Sequence, residues 1–354
     1  MDSAQTDSAQ SGSAPSDPAL SDSAQSGSAQ SGSAQSGSAQ AASAKAASGQ
    51  AATARADSAQ AATAASALDA PLVEAYLRRL GVEYSAWPTA DVLRELHLRH
   101  LRTVPFENLS VHLGEEIVLE ERRLVEKVAM TGRGGFCYEL NGAFGALLRA
   151  LGFDVTPLAG RVYGDEGRLG IPYDHLALLV RTVDAGEWLA DVGFGAHSHF
   201  PLRFEHRGKQ EDPGGVFRIV EAGADAAGVK GGAGRPAREG GGGVAGAADL
   251  DVVRDGRRVY RLEVRPRVLG DFVAGAWWHS TSPESHFTRS PVCSRVTEDG
   301  GRITLSGRRL KVTDAQGVSA ERELAGDGEV LGVYRERFGI ALERVPVARG
   351  GDMA

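Results

Sequence analysis

The spacing of hydrophobic residues divides the chain into a helical part and a strand-rich part. Across residues 71–151 apolar positions recur every three to four residues, which predicts amphipathic helices. Thr89 can cap one helix, residues 120–130 form a second, and a third begins near Cys137. This third helix carries one buried stripe and ends at Gly152, a residue suited to the left-handed conformation that follows many helices.

After the third helix the pattern changes to short apolar runs that are typical of strands. Such runs occupy residues 153–163, 175–183, 187–192, 259–264 and 302–312, and a last helix is predicted over residues 330–338. Helices followed by a mostly antiparallel sheet and a mixed end piece indicate an α+β fold rather than alternating βαβ units.

Residues 184–186 join two of these strands as a hairpin. A tight turn centred on Ala185 would set Asp191 opposite Leu179. Asp191 would then share a face with His175 but lie four residues along the strand, ~13 Å away. A bulge or a different turn is needed to bring Asp191 and His175 together.

Two segments have a composition that does not predict a packed fold. Residues 1–68 are almost entirely Ser, Ala, Gln and Gly, so burial cannot offset the entropy lost on ordering them, and we predict a disordered tail. The tail lacks the basic start and apolar run of a secretory signal. Residues 222–248 are rich in glycine without the spacing of a phosphate-binding loop, which predicts a surface insertion.

Charge and cysteine content narrow the functional class. The net charge of the 354-residue chain is −7, which argues against nucleic acid as a partner. No apolar run approaches the ~18 residues that a membrane span needs, so no membrane partner is expected. Two cysteines without a secretory signal indicate free thiols and a cytoplasmic location.

Cys137 is the candidate nucleophile, although a cysteine taken alone is more often a small buried core residue, and only its combination with the features below balances the two interpretations. It follows Gly134 and Gly135 and begins a helix, where free N–H groups and the helix dipole favour a thiolate. His175 begins an apolar strand, and Asp191 stands in the returning strand. A carboxylate on the Nδ1–H of His175 would favour the imidazolium, which in turn would favour the thiolate.

The other cysteine and the remaining histidines carry weaker signals. Cys293 has no histidine or glycine cluster beside it, so a structural role is predicted. His197 and His199 lack a third ligand, so no metal site is predicted.

Five segments together resemble the arylamine N-acetyltransferase family. They are VPFENL (Val104 to Leu109), RGGFCYELNGAF (Arg133 to Phe144), HLALLV (His175 to Val180), ADVGFG (Ala190 to Gly195) and STSPESHF (Ser280 to Phe287). The resemblance covers roughly residues 71–342, and five segments in the family's order are far more specific than any one of them.

The resemblance implies a three-part α+β fold with a cysteine-protease-like active-site arrangement. The parts would be an N-terminal helical bundle carrying the nucleophile (69–152), an antiparallel β-barrel-like domain (153–270), and an interdomain segment with an α/β lid (271–354). Cys137, His175 and Asp191 would form the catalytic triad.

The resemblance also implies substrates and their contacts. Acetyl-CoA would be the co-substrate, with no permanently bound cofactor, and a small aromatic amine or hydrazine would be the acceptor. The acceptor pocket would include Phe106, Val162, Phe194 and Phe287, Gly195 would contact the cofactor, and Glu107 and Arg133 would form a structural ion pair. Two positions depart from the family: Asp174 stands where Thr or Ser is common, and Ala276 where Asn is frequent.

The implied reaction is a ping-pong acetyl transfer through an acetyl-cysteine. One alternative keeps the same machinery: an amide synthase that transfers a polyketide acyl thioester to an aryl amine in ansamycin-type biosynthesis. A second alternative is a small-molecule binding module without catalysis, which would tolerate loss of Cys137.

Overall fold

The computed structural model describes residues 68–83, 87–164, 166–223 and 248–348. The predicted disordered tail, apart from its last residue, and residues 224–247 of the predicted glycine-rich insertion lie outside these ranges. The remainder is α+β, as predicted, with helices first, a large antiparallel sheet next, and a sheet with a helix last. Within the ranges described, no helix has both the length and the apolar character of a membrane span.

The helical part packs around one central helix. Its elements are α1 (Ala70–Leu80), α2 (Ala90–Thr103), α3 (Leu109–Leu113), α4 (Glu121–Thr131) and α5 (Cys137–Ala150). The side chain of Thr89 accepts a hydrogen bond from the Val92 N–H and caps α2, as predicted. Helix α5 is buried over its first twelve residues, and Gly152 follows it with φ +89°. The stripe on α5 is therefore the core against which the other elements pack.

The prediction of continuous helical pattern over residues 71–151 was wrong at one place. Strand β1 (Phe106–Glu107) interrupts the helices and pairs with residues 293 and 294, far along the chain. Pro105 stops α2 and favours extended backbone before it, but local spacing carries no signal for a partner strand so distant.

The large sheet consists of antiparallel strands in the order β5-β4-β3-β2-β9-β8-β7-β6. They are β2 (Asp154–Val162), β3 (His175–Thr182), β4 (Gly186–Ala190), β5 (Leu202–Arg203), β6 (Gln210–Asp212), β7 (Gly215–Glu221), β8 (Leu250–Arg254) and β9 (Arg257–Glu263). Residues of β3 alternate between two cores: Leu176 and Leu178 pack with α5, whereas Ala177 packs with Tyr260 on the barrel side. His175 shares the barrel face with Ala177.

The C-terminal part begins with α6 (Val273–Thr281) and continues as a second antiparallel sheet. Its strands are β10 (Val292–Val296), β11 (Arg302–Ser306), β12 (Arg309–Thr313) and β13 (Ser319–Glu323), followed by α7 (Asp327–Phe338). The strands predicted over residues 302–312 form a hairpin that turns at Gly307, because β11 pairs with β12. The division of the chain into three domains at the predicted boundaries stays a prediction.

Candidate active site

Cys137 is the first residue of α5, and the loop before it is held tightly against the helical part. A Cβ atom at Gly134 would lie 1.8 Å from the carbonyl oxygen of Pro105, so only glycine fits there. The carboxylate of Glu139 accepts a hydrogen bond from the Phe136 N–H and caps the helix start. Among the bonds of the described residues, none uses the Cys137 N–H, which therefore stays available at the helix terminus.

The carboxylate of Glu107 fixes the same loop from behind. It receives Nε of Arg133 at 2.9 Å and the backbone N–H of Gly134 at 3.2 Å. Both side chains are buried, and the charges of Lys127 and Arg133 lower the Glu107 pKa against the opposing effect of burial. The ion pair expected from the sequence is present, and it joins strand β1 to the loop that carries Cys137.

His175 and Asp191 form a buried hydrogen-bonded pair. Nε2 of His175 lies 2.8 Å from Oδ2 of Asp191, and the two side chains are 2% and 1% exposed. The sequence analysis placed the carboxylate on Nδ1, and this was wrong. Because Asp191 occupies Nε2, Nδ1 is the ring nitrogen of His175 left to interact with Cys137, which is among the groups that raise the pKa of His175.

The turn before Asp191 explains how the pair meets. Thr182 pairs with Gly186 and Leu178 with Ala190, so the hairpin is centred on Asp184 rather than on Ala185 as predicted. Continued one residue further, this register sets Asp191 against Ala177, two residues from His175 instead of four. The change of turn by one residue thus halves the ~13 Å separation that the predicted turn implied, to roughly 6.6 Å along the strand.

The electrostatics of the pair favour two charged partners. Burial alone would lower the pKa of His175, but the charge and hydrogen bond of Asp191, together with Cys137, raise it to about 10. Burial likewise disfavours the Asp191 carboxylate, yet the interaction with His175 holds its pKa well below the usual range. At neutral pH the arrangement is an imidazolium between the Asp191 carboxylate and the sulfur of Cys137.

Two further side chains hold Asp191, and the sequence analysis did not identify either. Asn141 donates to Oδ1 of Asp191 at 2.9 Å and to the Leu176 carbonyl at 2.6 Å, and accepts from the Val192 N–H. His97 accepts the Asp191 backbone N–H at 3.2 Å. Asn141 lies four residues after Cys137 on the buried stripe of α5, and a polar residue in that stripe was the available signal.

A cavity of about 870 Å³ opens beside the Cys137 thiol. Its wall includes all four residues expected in the acceptor pocket, namely Phe106, Val162, Phe194 and Phe287. Gly195 is not part of the wall, and it packs against the ring of Phe106 instead. The wall also contains polar side chains that the sequence analysis did not place there: Arg161, Arg168, Asp174, His279, Glu284, Ser285 and His286.

The histidines outside the pair do not gather around a metal position. Nδ1 of His197 is 3.1 Å from the Ser198 hydroxyl, and the carbonyl of His199 accepts from Nδ1 of His97 at 2.9 Å. In the residues with described positions, no cluster of three or more His, Cys, Asp and Glu side chains is arranged for a metal ion.

Comparison with known sequences places this site in a family. Residues 89–347 match the family described as N-acetyltransferase. The arylamine N-acetyltransferase of Escherichia coli K12 is 31% identical over 274 residues, which cover 77% of this chain and 90% of that protein. The arylamine N-acetyltransferase / N-hydroxyarylamine O-acetyltransferase of Salmonella typhimurium is 34% identical over 235 residues, 66% of this chain and 76% of the relative.

Solved structures agree with the sequence comparison. The arylamine N-acetyltransferase of M. smegmatis matches with a TM-score of 0.65 and 31% identity, covering 78% of this chain and 93% of that one. The Mycobacterium marinum enzyme, solved in complex with CoA, matches with a TM-score of 0.63 and 30% identity over 76% of this chain and 92% of that one.

Proposed function

The chain belongs to the arylamine N-acetyltransferase family, and on that premise we propose that it transfers the acetyl group of acetyl-CoA to arylamines, arylhydrazines or related weakly basic amines. The observation that carries the proposal is the geometry at the cavity wall. Cys137 and His175 both line the cavity, Cys137 is among the groups that raise the pKa of His175, and Asp191 holds Nε2 of His175 at 2.8 Å. We assign these three residues as the catalytic triad.

In the first half-reaction the Cys137 thiolate attacks the thioester carbonyl of acetyl-CoA. The carbon–sulfur bond to CoA breaks, and the departing thiolate takes the proton of the His175 imidazolium. Cys137 then carries the acetyl group, and His175 is neutral. Exchange of one thioester for another is nearly even in free energy, so a cysteine suits a thioester donor better than a serine would.

In the second half-reaction the neutral imidazole of His175 acts as the general base. The amine attacks the acetyl carbon, His175 accepts the amine proton, and the Cys137 thiolate leaves. The free enzyme is restored with the thiolate and the imidazolium. The acceptor must be unprotonated to attack, which favours aryl amines and hydrazines over alkylamines that are cationic at neutral pH. The sequence of steps is ping-pong.

The negative oxygen that develops in both half-reactions needs a donor. The backbone N–H of Cys137 stands at the start of α5 without a partner among the described residues, and we assign it to the oxyanion. The positive end of the helix dipole lies at the same place and stabilises the same charge.

The cavity wall supports the assignment of an aromatic acceptor. Phe106, Phe194 and Phe287 present rings to the cavity, and Phe106 and Phe287 have their centroids 6.0 Å apart. Such rings stack with an aryl amine while leaving its nitrogen free. The relative solved with CoA supports acetyl-CoA as donor. The contact between Gly195 and the cofactor, and a cytoplasmic location, stay predictions.

The amide-synthase alternative receives no support from the comparisons, since none of the relatives described above is an amide synthase. The binding-module alternative differs from the proposal in one respect that can be measured, because it requires no covalent intermediate on Cys137.

Intact-mass spectrometry tests the proposal directly. Pure protein is mixed with acetyl-CoA and no acceptor, beside Cys137→Ser and the control Cys293→Ser. We expect one acetyl group on the wild type and on Cys293→Ser, none on Cys137→Ser, and loss of the group when an arylamine is added. If acetyl-CoA leaves no adduct but a longer acyl thioester does, the amide-synthase alternative replaces the proposal. No adduct from either donor rejects the covalent mechanism.

A further inference from the structure

Asp174 places a buried carboxylate in the cavity wall, immediately before His175. The residue is 8% exposed, and the sequence already marks it as a departure, because Thr or Ser is common there. Oδ1 of Asp174 accepts the backbone N–H of Val162 at 3.1 Å. No hydrogen bond to Oδ2 occurs in the part of the chain that the structure describes. Oδ1 is thus engaged by the fold, whereas Oδ2 of this cavity-lining residue has no hydrogen-bond partner in that part of the chain.

The charge of Asp174 is not neutralised by an ion pair. Burial raises its pKa to about 6, against the opposing effects of the Val162 N–H, the His175 charge and Arg161. The guanidinium of Arg161, whose charge acts on Asp174, donates two hydrogen bonds to the Gly170 carbonyl, at 3.0 and 2.7 Å. Within the described residues Arg161 forms no salt bridge with Asp174. The carboxylate of this cavity-lining residue is therefore ionised at neutral pH and has no salt-bridge partner among the described residues.

The loop around Asp174 holds the carboxylate in place. A Cβ atom at Gly170 would lie 1.8 Å from Oδ2 of Asp174, so the loop packs closely around this oxygen. The Tyr138 hydroxyl donates to the Tyr173 carbonyl at 2.8 Å and anchors the residue before Asp174. The carbonyl of Asp174 is 3.9 Å from Sγ of Cys137, so the carboxylate belongs to the residue that borders the reacting sulfur.

We propose that Asp174 is a specificity residue whose free oxygen accepts a hydrogen bond from a second donor group on the acceptor, so that acceptors with a cationic or N–H-bearing substituent are preferred to anionic ones. The inference rests on the proposed function, since it concerns the second half-reaction. An uncharged Thr or Ser would accept such a bond without repelling an anion. An ionised carboxylate does both, and in a cavity shielded from water the effect of its charge is strong.

Acetyl-CoA also carries amide N–H groups that could reach the same oxygen, so a contact with acetyl-CoA must be distinguished from a contact with the acceptor. We assign the contact to the acceptor, because the donor carries several negative phosphate charges that a carboxylate beside the thiol does not attract. The acetylation of Cys137 and the transfer to the amine can be measured separately. A contact between Asp174 and the acceptor would affect the second reaction, and a contact with acetyl-CoA would affect the first.

The matched variants are Asp174→Asn and Asp154→Asn. Asparagine has the size of aspartate, and its carbonyl oxygen can still accept a hydrogen bond from the Val162 N–H. The variant therefore keeps this hydrogen bond while the charge is lost. Asp154 is the first residue of β2, and its side chain is 62% exposed. It lies eight residues, or ~26 Å along the strand, before Val162, whose N–H donates to Asp174. Asp154→Asn thus removes the same charge far from the cavity.

The measurement is kcat/KM for two acceptors, 4-(aminomethyl)aniline, which is cationic at its alkylamine, and 4-aminobenzoate, which is anionic. We expect the cation-to-anion ratio to fall about tenfold in Asp174→Asn and to stay within twofold of the wild type in Asp154→Asn. The intrinsic reactivity of each amine cancels, because the same two acceptors are compared in every protein. Asp174→Thr provides a second uncharged variant, whose ratio decides the matter if Asp174→Asn does not fold.

Each outcome has one reading. A ratio within twofold of the wild type in the folded uncharged variants shows that Asp174 only braces the loop and overturns the inference. A change confined to the rate of Cys137 acetylation, measured without acceptor, overturns it in favour of a contact with the donor. If wild-type Cys137 takes no acetyl group at all, the proposed function itself fails, and this result is visible before any acceptor is added.

Discussion

The two cysteines lie in different surroundings, one at the wall of a cavity and the other inside an apolar core. Both are free and buried, with Cys137 5% and Cys293 0% exposed. Cys137 begins a helix at the wall of a cavity and meets His175 from the large sheet. Cys293 lies within β10, between β1 and β11, and packs against aromatic and aliphatic side chains such as Tyr334.

The difference shows that burial alone does not determine the chemistry of a thiol. At Cys293 burial raises the pKa well above its usual range, and the nearby Glu107 charge acts in the same direction. At Cys137 an equally buried sulfur has an imidazolium partner and an open cavity beside it. The partners of Cys137 come from elements that are distant in sequence. Neither cysteine could therefore replace the other, either in its chemistry or in its packing.

The largest expected contrast is in catalysis. Cys137→Ser should lower kcat for arylamine acetylation by about 10⁴-fold or more, because the nucleophile is lost. Cys293→Ser, which makes the same change in the apolar region, should keep kcat within about threefold of the wild type once folded protein is compared. Steady-state assays with acetyl-CoA and an arylamine measure both. Comparable losses in the two variants would remove the distinction between the regions.

Asp191→Asn tests whether the charge behind His175 matters as much as its position. The amide keeps the size of the side chain but cannot stabilise the imidazolium, so we expect kcat/KM to fall about 10³-fold. Asp154→Asn, at an exposed position, should leave kcat/KM unchanged. A loss of less than tenfold in Asp191→Asn would mean that Asp191 merely packs against His175.

Alkylation should separate the two thiols in the same molecule. Iodoacetamide at neutral pH should label Cys137 at least about 100-fold faster than Cys293, because the cavity admits the reagent and His175 favours the thiolate. Peptide mass spectrometry after timed quenching gives both rates. In denaturant the rates should converge, and labelling of Cys293 first in the native protein would contradict the comparison.

The smallest effects concern stability and its pH dependence. The folded pKa of His175 is about 10 against about 6.5 in an unfolded chain, so its stabilisation is complete below about pH 6.5 and is lost as pH rises towards 10. The loss of Tm in Asp191→Asn should therefore shrink between pH 6.5 and 8.5. Cys293→Ala removes a neutral buried thiol, and its cost of about 1 kcal/mol, or roughly 2–4 °C, should stay constant over that range.

Thermal melts of both variants and the wild type, at matched ionic strength, provide this test. Parallel pH profiles for Asp191→Asn and Cys293→Ala would mean that Asp191 does not raise the pKa of His175 in the folded protein. A Cys293→Ala penalty that falls steeply below pH 8 would mean that the Cys293 thiol, or a group in contact with it, titrates in that range.

The sequence predicted the elements whose cause is local. Helix α5 begins at Cys137 as predicted, because the glycines before it and the buried stripe after it are adjacent in the chain. The α+β order was predicted for the same reason, since each change of hydrophobic period is local. Strand β1 was missed because its partner, β10, lies almost two hundred residues away and leaves no local trace.

The sequence by itself determined which residues could carry the chemistry: a cysteine at a helix start, a histidine at a strand start, an acid in the returning strand. Only the tertiary structure decided how they meet. The hairpin turn is centred one residue earlier than predicted, which shifts the strand pairing by two residues, and Asp191 meets Nε2 of His175, with Asn141 and His97 holding it. Residue type follows from composition and periodicity, but a distance of 2.8 Å between His175 and Asp191 depends on strand pairing and packing between elements far apart in the chain.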